Sequence, residues 1–377
     1  KIAVVNPEEL VTFRLRNNDV LFNRTNSYEH VGRTGIYKKF DDQDYIFASY
    51  LVRLRANEDY ILPEYLTVFL NTKYGVKDIK RRARISINQS NVSASEVQKI
   101  KIPIIPMQLQ RKIKHMVDES FKNRQNSIKF YEKAEKMLLK EIGLYEYDSK
   151  HQITFQSSLE NVKNKKRFDA DYYQPKYQNI EEIIKKYRLG SNKLYKIIKN
   201  KHKRFYPKKD VTYKYIELSN IAEYGHISGF TQKNGAELPT RARRRVETGN
   251  VITSSIEGSL DACALITPEY NNALCSTGFF VISSDVINSE TLLVLFKSDA
   301  IQKLLKREAR GTILTSVRSN DFEKILVPLI DLEVQKNVKD IISKVYAYRY
   351  RAKNLHDKVI AFTENIIKNS WLVDNSV

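Results

Sequence analysis

The sequence predicts an α+β protein with two similar domains, each a mainly antiparallel sheet with helices, and two long helices that pack on one another. Three observations predict it. The first is a device that occurs twice: the stretch from Ile100 to Ile142 (IKIPIIPMQLQRKIKHMVDESF…) returns from Ile325 (ILVPLIDLEVQKNVKDIISKVY…). In each copy a short apolar strand is stopped by a proline, Pro103 or Pro328, which cannot donate to a ladder, and a glutamine follows seven residues later, Gln110 or Gln335. The second is helical periodicity. Val338, Ile341, Val345, Tyr348, Ala352, Leu355, Val359, Phe362 and Ile366 step by 3 and 4 without a break, the seam of a coiled coil. Ile113, Val117, Phe121, Ile128, Tyr131, Leu138 and Ile142 form a looser stripe, interrupted by Arg124 and Glu135. Roughly 35 residues make a rod of ~50 Å, too long to cap one small domain, so each rod is the simplest partner for the other.

The third observation is register. Pro103 and Pro328 lie 225 residues apart, as do Gln110 and Gln335. Asn91, Val92 and Glu96 fall opposite Ser316, Val317 and Asp321 at the same offset. Glu64-Tyr-Leu lies under Glu290-Thr-Leu at 226, and Asn18-Asp-Val-Leu under Gly249-Asn-Val-Ile at 231, a drift that loop insertions explain. Before GNVI the second copy has about eighty residues counted from Phe168, and before NDVL the first has seventeen, so the first is expected to lack roughly its first sixty residues. The chain starts at Lys1 rather than methionine, which fits an unnatural start.

In order, the runs VTFRL, NNDVLFNR, TGIYKKF and YIFASYLVRLR read as antiparallel strands. Pro63 then opens a helix whose apolar face is Leu66, Phe69, Leu70 and Ile79. The polar segment ARISINQSNVSASEV reads as a loop laid against something, and Gly143 as the stop of the first long helix. Residues 144–167 have no period and read as a linker. The second half brings a helical piece EEIIKKYRL, the basic stretch NKHKRFYPKKD, and strand-like runs in YKYIELS, GNVITSS, ACALI and TGFFVIS. A helix around SETLLVLFKSDAIQKLLKREA follows, then a second loop and strand.

Composition narrows the function. Against 44 Asp and Glu stand 64 Lys and Arg, a net charge of +20 and a pI near 9.6, so a polyanion is the leading partner and nucleic acid the leading polyanion. The 23 Tyr and 16 Phe suit both a folded core and a stacking surface. Cys263 and Cys275 sit in small or apolar contexts without metal spacing, which reads as buried thiols in a reducing compartment and no zinc or other metal site. No apolar run reaches the length of about 18 residues that a membrane span needs, and there is no signal peptide. No proline adjoins another, as the Pro-Pro of an amino-methyltransferase requires, and no glycine precedes lysine, as a P-loop requires. Asp148-Ser149-Lys150 has the form of a nuclease tripeptide but lies in the linker with no carboxylate set around it.

Cations that displace counterions, and side chains with paired donors and acceptors, cluster in the expected loops. The candidate DNA contacts in the first half are Arg24, Thr25, Asn26, Ser27 and Arg33, then Arg81, Arg82, Arg84, Gln89 and Ser90. In the second half they are Lys201, Lys203, Arg204, Lys208 and Lys209, then Arg241, Arg243, Arg244 and Arg245, then Arg310, Thr312, Thr315 and Arg318. A single Lys or Arg reads equally well as a solvated charge, whereas the clusters RRAR and RARRR favour DNA. Phe205 and Tyr206 read either as stacking groups or as core.

The duplicated order of N/G-D/N-V-L, strands, P-E-Y-L helix, Ser/Asn-rich loop, I-P-x-x-P-x-x-x-Q and long helix, with RFDADYYQPKY opening the second copy, resembles the specificity subunit of type I restriction-modification enzymes over essentially the whole chain. The resemblance implies two target recognition domains, each reading half of a split site on double-stranded DNA. It also implies that the long helices pack as an antiparallel coiled coil that fixes the spacing. The implied domains are 1–107 (first recognition domain, incomplete), 108–143 (helix), 144–167 (linker), 168–332 (second recognition domain) and 333–369 (helix). The helix-packing residues would be Val117, Phe121, Ile128, Leu138, Val338, Ile341, Val345, Leu355, Val359, Phe362 and Ile366. It implies no catalysis and no cofactor in this chain. Methyltransferase subunits would use S-adenosylmethionine, and restriction subunits that translocate and cleave would use ATP and Mg, in the cytoplasm of a bacterial or archaeal cell. The sequence departs from the pattern at Asp331, where the first copy has Pro106, and at Asn250, where it has Asp19. The alternatives are the specificity region of a fused methyltransferase-restriction polypeptide, and a coiled-coil scaffold that binds RNA or acidic proteins.

Overall fold

The computed structural model describes residues 6–87, 89–148, 150–201, 203–311 and 315–374. They fall into two compact units, residues 1–126 with 347–377 (unit 1) and residues 127–346 (unit 2). The first long helix runs Met107–Glu141 and the second Leu332–Asp374, so each contributes to both units.

In unit 1 the strand Val20–Asn23 is central in an antiparallel sheet, between Thr34–Ile36 and Leu51–Leu54. Its alternation puts Val20 and Phe22 into the core. The helix Pro63–Asn71 starts on a proline at its first turn and buries Tyr65, Leu66, Val68, Phe69 and Leu70, too many for one face, because it lies inside the unit. Thr72 caps the next helix, Lys73–Arg82, by accepting from the Gly75 amide at 3.3 Å. A Cβ on Gly75 would stand 2.4 Å from the Phe69 carbonyl oxygen, so only glycine fits where the two helices meet. Beneath them a buried Glu64 pairs with Lys38 and, at 2.9 Å, with Lys114, and Asp118 closes the network at 2.9 Å from Lys38 and 2.6 Å from Lys114. Burial pushes the Asp118 carboxyl up, but the hydrogen bonds from Lys114 and Lys38 outweigh it and hold it below the usual carboxylate range. Glu64→Gln leaves the buried Lys38 ammonium with half its compensation, and a loss of roughly 3 kcal/mol from unit 1 is expected, read by urea unfolding against wild type.

Unit 2 repeats this plan and adds to it. Val251–Ser254 is central between Cys263–Leu265 and Phe279–Ser284, with Ile198–Asn200 outside the latter, and the helices Ser289–Lys297 and Asp299–Glu308 follow. A second sheet has the order Thr231–Asn234, Thr212–Ile216, Leu274–Ser276, Ala242–Arg245, and its central pair is parallel. The helix Pro175–Lys186 buries Tyr177, Ile180 and Ile184, and the strand Ser191–Lys193 pairs with Leu326–Pro328. Among the described residues unit 1 has no counterpart of these last elements, nor of Thr212–Ile216 and Thr231–Asn234. Cys263 and Cys275 are both buried free thiols, and burial pushes each up to about 12.

The repeat holds at the level of single hydrogen bonds. The Gln110 side chain accepts from Leu62 N at 2.8 Å and donates to the Tyr60 and Ile105 carbonyls, both at 2.9 Å. Gln335 accepts from Asn288 N at 2.8 Å and donates to Val286 O at 3.0 Å and Ile330 O at 2.9 Å. Each glutamine ties the start of a long helix to the loop before a buried helix. Asp19 accepts from Arg16 N at 2.8 Å, and Asn250 from Glu247 N at 3.0 Å. The difference between them follows from their neighbours. Asp19 also pairs with Arg55 at 3.0 Å, one residue beyond the Leu54 that faces Val20, while the residue beyond the Ile282 that faces Val251 is Ser283, so an amide suffices.

The long helices run antiparallel within each unit: Ser120 Oγ donates to Ala352 O at 2.9 Å and Lys112 lies over Phe362 in unit 1, and Lys344 lies over Phe130 in unit 2. The expected seam needs correction. In the second helix the deepest positions are Val338, Ile342, Val345, Val359, Thr363 and Ile367, while Ile341, Leu355, Phe362 and Ile366 are half-buried on its flank. In the first, the stripe runs through Ile113, Asn123, Ser127, Tyr131, Ala134, Leu138 and Ile142, with Val117, Phe121 and Ile128 half-buried. Reading by apolar type alone missed the small polar members of the stripe; Asn123 satisfies itself on the Glu119 carbonyl at 2.7 Å. The first helix stops at a Schellman motif, with Gly143 at φ 76°, its amide on Lys140 O at 3.2 Å and Leu144 N on Leu139 O at 2.8 Å. Among the described residues of 144–167 there is one short helix, Leu159–Lys165, capped by Ser158.

Candidate nucleic-acid interface

The structure brings together candidates that lie far apart in sequence. In unit 1 Thr25–Asn26 pairs with Gln89–Asn91, which pairs in turn with Arg84–Ser86. Arg24 N donates to Tyr50 O at 3.0 Å and Val92 N to Arg24 O at 2.9 Å. Three segments, 24–27, 50 and 84–91, thus form one rim, on which Ser27, Tyr50, Arg84 and Gln89 are exposed. Unit 2 builds the same rim with the same bonds. Ser255 N donates to Gly278 O at 2.8 Å, Val317 N to Ser255 O at 2.7 Å, Ile256 bridges Ser316, and Arg310 pairs with Ser316.

In unit 2 the rim continues. Thr277 N donates to Arg241 O at 2.8 Å, which joins the strand Ala242–Arg245. A bulge there, between Ala242 and Arg244, adds Arg243 to the strand and re-aims the side chains. The Arg243 guanidinium stands 5.5 Å from the Tyr206 ring and that of Arg245 5.6 Å from the Phe205 ring, both cation–π contacts. Phe205 N donates to Arg243 O at 2.8 Å and its ring meets Tyr213 edge-on at 5.8 Å. The half-buried Phe205 is therefore the support and the exposed Tyr206 the outer blade. Lys203, Arg204, Lys208, Lys209 and Arg241 stand exposed around them.

Several candidates are occupied otherwise. Ser90 is 1% exposed and belongs to the interior of its sheet. Arg82 is an internal tie, to Asp78 at 3.1 Å, Glu96 at 3.2 Å and the Lys99 carbonyl at 3.0 Å. Burial alone would raise Asp78, but the bonds from Arg81 and Arg82 hold it below the usual range. Arg81 shares that carboxylate while staying exposed. Arg244 turns inward: its Nη1 donates to Lys201 O at 2.6 Å, and burial lowers its pKa. Lys201 pairs with Glu247 at 2.6 Å and Arg310 with Asp321 at 3.2 Å. Thr25 is bonded through its hydroxyl to Asn91 at 2.6 Å, and Arg24 is half-buried. Arg33 and Arg318 are exposed, Thr315 is half-buried, and Thr312 lies outside the described residues. Sequence reasoning missed Tyr50, Glu257 and Gly278, which join the rim only through strand register and carry no charge cluster to mark them.

Among the described residues no cluster of His, Cys, Asp or Glu could hold a metal ion, and no helix is long and apolar enough to cross a membrane.

A rim with the same strand pairings thus recurs in both units. Residues 4–135 match the family described as the type I restriction modification DNA specificity domain. The chain is 23% identical over 346 residues to the putative type I restriction enzyme MjaX specificity subunit of Methanocaldococcus jannaschii, covering 89% of this chain and 73% of that one. Over 114 residues it is 28% identical to the type I restriction enzyme EcoKI specificity subunit of Escherichia coli K12, covering 30% of this chain and 24% of that one. A solved structure of a type I restriction-modification S subunit from M. genitalium is similar at a TM-score of 0.41 and 13% identity, over 93% of this chain and 84% of that one. By a family model over residues 4–135 and by a relative over 89% of its length, the chain is thus similar to type I restriction-modification specificity subunits.

Proposed function

We propose that the two units read the two halves of a split duplex site and deliver it to methyltransferase subunits that use S-adenosylmethionine and to restriction subunits that use ATP and Mg, with no chemistry done by this chain. The observation that carries the reading is the recurrence of one rim, bond for bond, in both units. A single half-site reader would need only one. The domains are residues 1–107 and 168–332, with the long helices as spacer.

On this reading Arg33, Arg81 and Arg84 in unit 1, and Lys203, Arg204, Lys208, Lys209, Arg241, Arg245 and Arg318 in unit 2, meet phosphates, because they are exposed cations, and the half-buried Arg243 joins them from beside the exposed Tyr206. Asn26, Ser27, Gln89 and Thr315 stand where side chains with both donors and acceptors reach base edges. Unit 2 has the fuller surface, since unit 1 has no counterpart of the Thr212–Ile216 and Thr231–Asn234 strands among the described residues. Fluorescence anisotropy of the full chain with a random 40-mer duplex and with single-stranded RNA of the same length tests it. Tighter binding to the duplex, weakening linearly on a log–log salt plot, is expected; preference for RNA would favour the scaffold alternative.

A further inference from the structure

We infer that Glu257 reads an exocyclic amino group of one base in the half-site that unit 2 recognises; the inference rests on the DNA-reading function above. Glu257 sits on the rim of unit 2, its amide donating to Thr315 O at 3.0 Å. It occupies the place of Asn26 in unit 1: Thr25 faces Asn91 and Ile256 faces Ser316, and the next residue in each is Asn26 or Glu257.

Glu257 lines a cavity of about 450 Å³ together with Arg167, Asp169, Asp171, Lys306, Arg307 and Arg310, yet among the described residues its carboxylate, unlike those of Asp169 and Asp171, forms no ion pair and no side-chain hydrogen bond. The arginines are engaged elsewhere, Arg167 with Asp169 at 2.5 Å, Arg307 with Glu181 at 2.6 Å and Glu308 at 3.0 Å, and Arg310 with Asp321 at 3.2 Å. A second group points to a ligand here. The Arg167 side chain is only 10% exposed, and its Nη1 is buried without an acceptor. The residues that line the cavity thus include one carboxylate without an ion pair and one arginine with an unused guanidinium N–H.

A phosphate fits poorly, because it would meet Glu257 with like charge. A base edge fits both groups: cytosine N4 and adenine N6 are donors in the major groove and require an acceptor, which is the role a carboxylate fills there. In unit 1 the equivalent Asn26 has its Oδ1 taken by the Ser27 amide at 2.8 Å, which leaves its Nδ2 to donate. The same rim position thus presents an acceptor in one unit and a donor in the other, and the two half-sites are read differently by one scaffold.

The test is enrichment of random duplexes by the full chain, sequenced for wild type, Glu257→Gln and Glu257→Asp. Thermal melting establishes that each variant is folded. Glu257→Gln is expected to lower the preference for cytosine or adenine about tenfold at one position of one block and leave the other block unchanged. Glu257→Asp, which keeps the charge on a shorter arm, should weaken that same preference without redirecting it. An unchanged motif in both variants overturns the inference. So does a uniform rise in affinity for all sequences, which is what loss of a charge facing phosphates would give. Failure of the wild-type protein to enrich any motif would overturn instead the DNA-reading function on which the inference rests.

Discussion

Gln335→Leu is expected to destabilise unit 2 by roughly 3 kcal/mol, since it removes three buried partners at once and leaves Asn288 N and the Val286 and Ile330 carbonyls to find others. The side chain is 4% exposed and water cannot replace it without opening the joint between the second long helix and the loop before Ser289–Lys297. For a unit of this size the loss corresponds to a fall of about 6–12 °C in the melting step that unit 2 contributes. Gln110→Leu should do the same to the step that unit 1 contributes, because its three bonds are the same three. Differential scanning calorimetry of the two variants, with Lys336→Ala at an exposed neighbouring position as control, separates the steps. If the control falls as far as Gln335→Leu, the clamp has no special weight.

Replacing Arg241, Arg243 and Arg245 together by alanine is expected to weaken DNA binding roughly a hundredfold near 0.15 M salt and to flatten the log–log salt slope by up to about 2.7, since each phosphate contact contributes a slope of ~0.9. The three differ in setting. Arg241 is exposed, Arg243 rests over Tyr206, and Arg245 rests over Phe205 while bonding Asn272 Oδ1 at 2.6 Å. Arg244→Ala is the informative contrast. It lies on the inner side of the same strand with its guanidinium on the Lys201 carbonyl, so its loss should lower the stability of unit 2 and leave the slope unchanged. A slope that falls equally in both variants would mean that the bulge does not sort inner from outer arginines.

Much of the fold was legible because its signals are repeated. The proline, the glutamine and the helix that follows recur at a fixed offset, and in the structure Gln110 and Gln335 make the same bonds. The departure at Asn250 is also understood once the missing arginine partner is seen, which sequence alone could not reveal. The coiled-coil seam was only partly legible, because Asn123, Ser127 and Thr363 are small and polar yet buried, and an apolar template passes over them. The candidate interface was half legible as a surface. Charge clusters marked the RARRR strand but could not tell Arg244 from Arg243, since that depends on a one-residue bulge. RRAR likewise hid the structural role of Arg82, whose carboxylates Asp78 and Glu96 are brought to it by the fold. Glu257 escaped notice because an isolated acid carries no signal for DNA; its meaning comes from its register with Asn26.

The most direct measurement is enrichment of a random duplex pool by the full chain together with its methyltransferase partner, followed by sequencing of the retained DNA. Two short blocks separated by a fixed gap are the predicted result, since on the proposed reading each unit carries one rim and each rim reads one block. Binding that is steeply salt-dependent but enriches no motif would contradict the account.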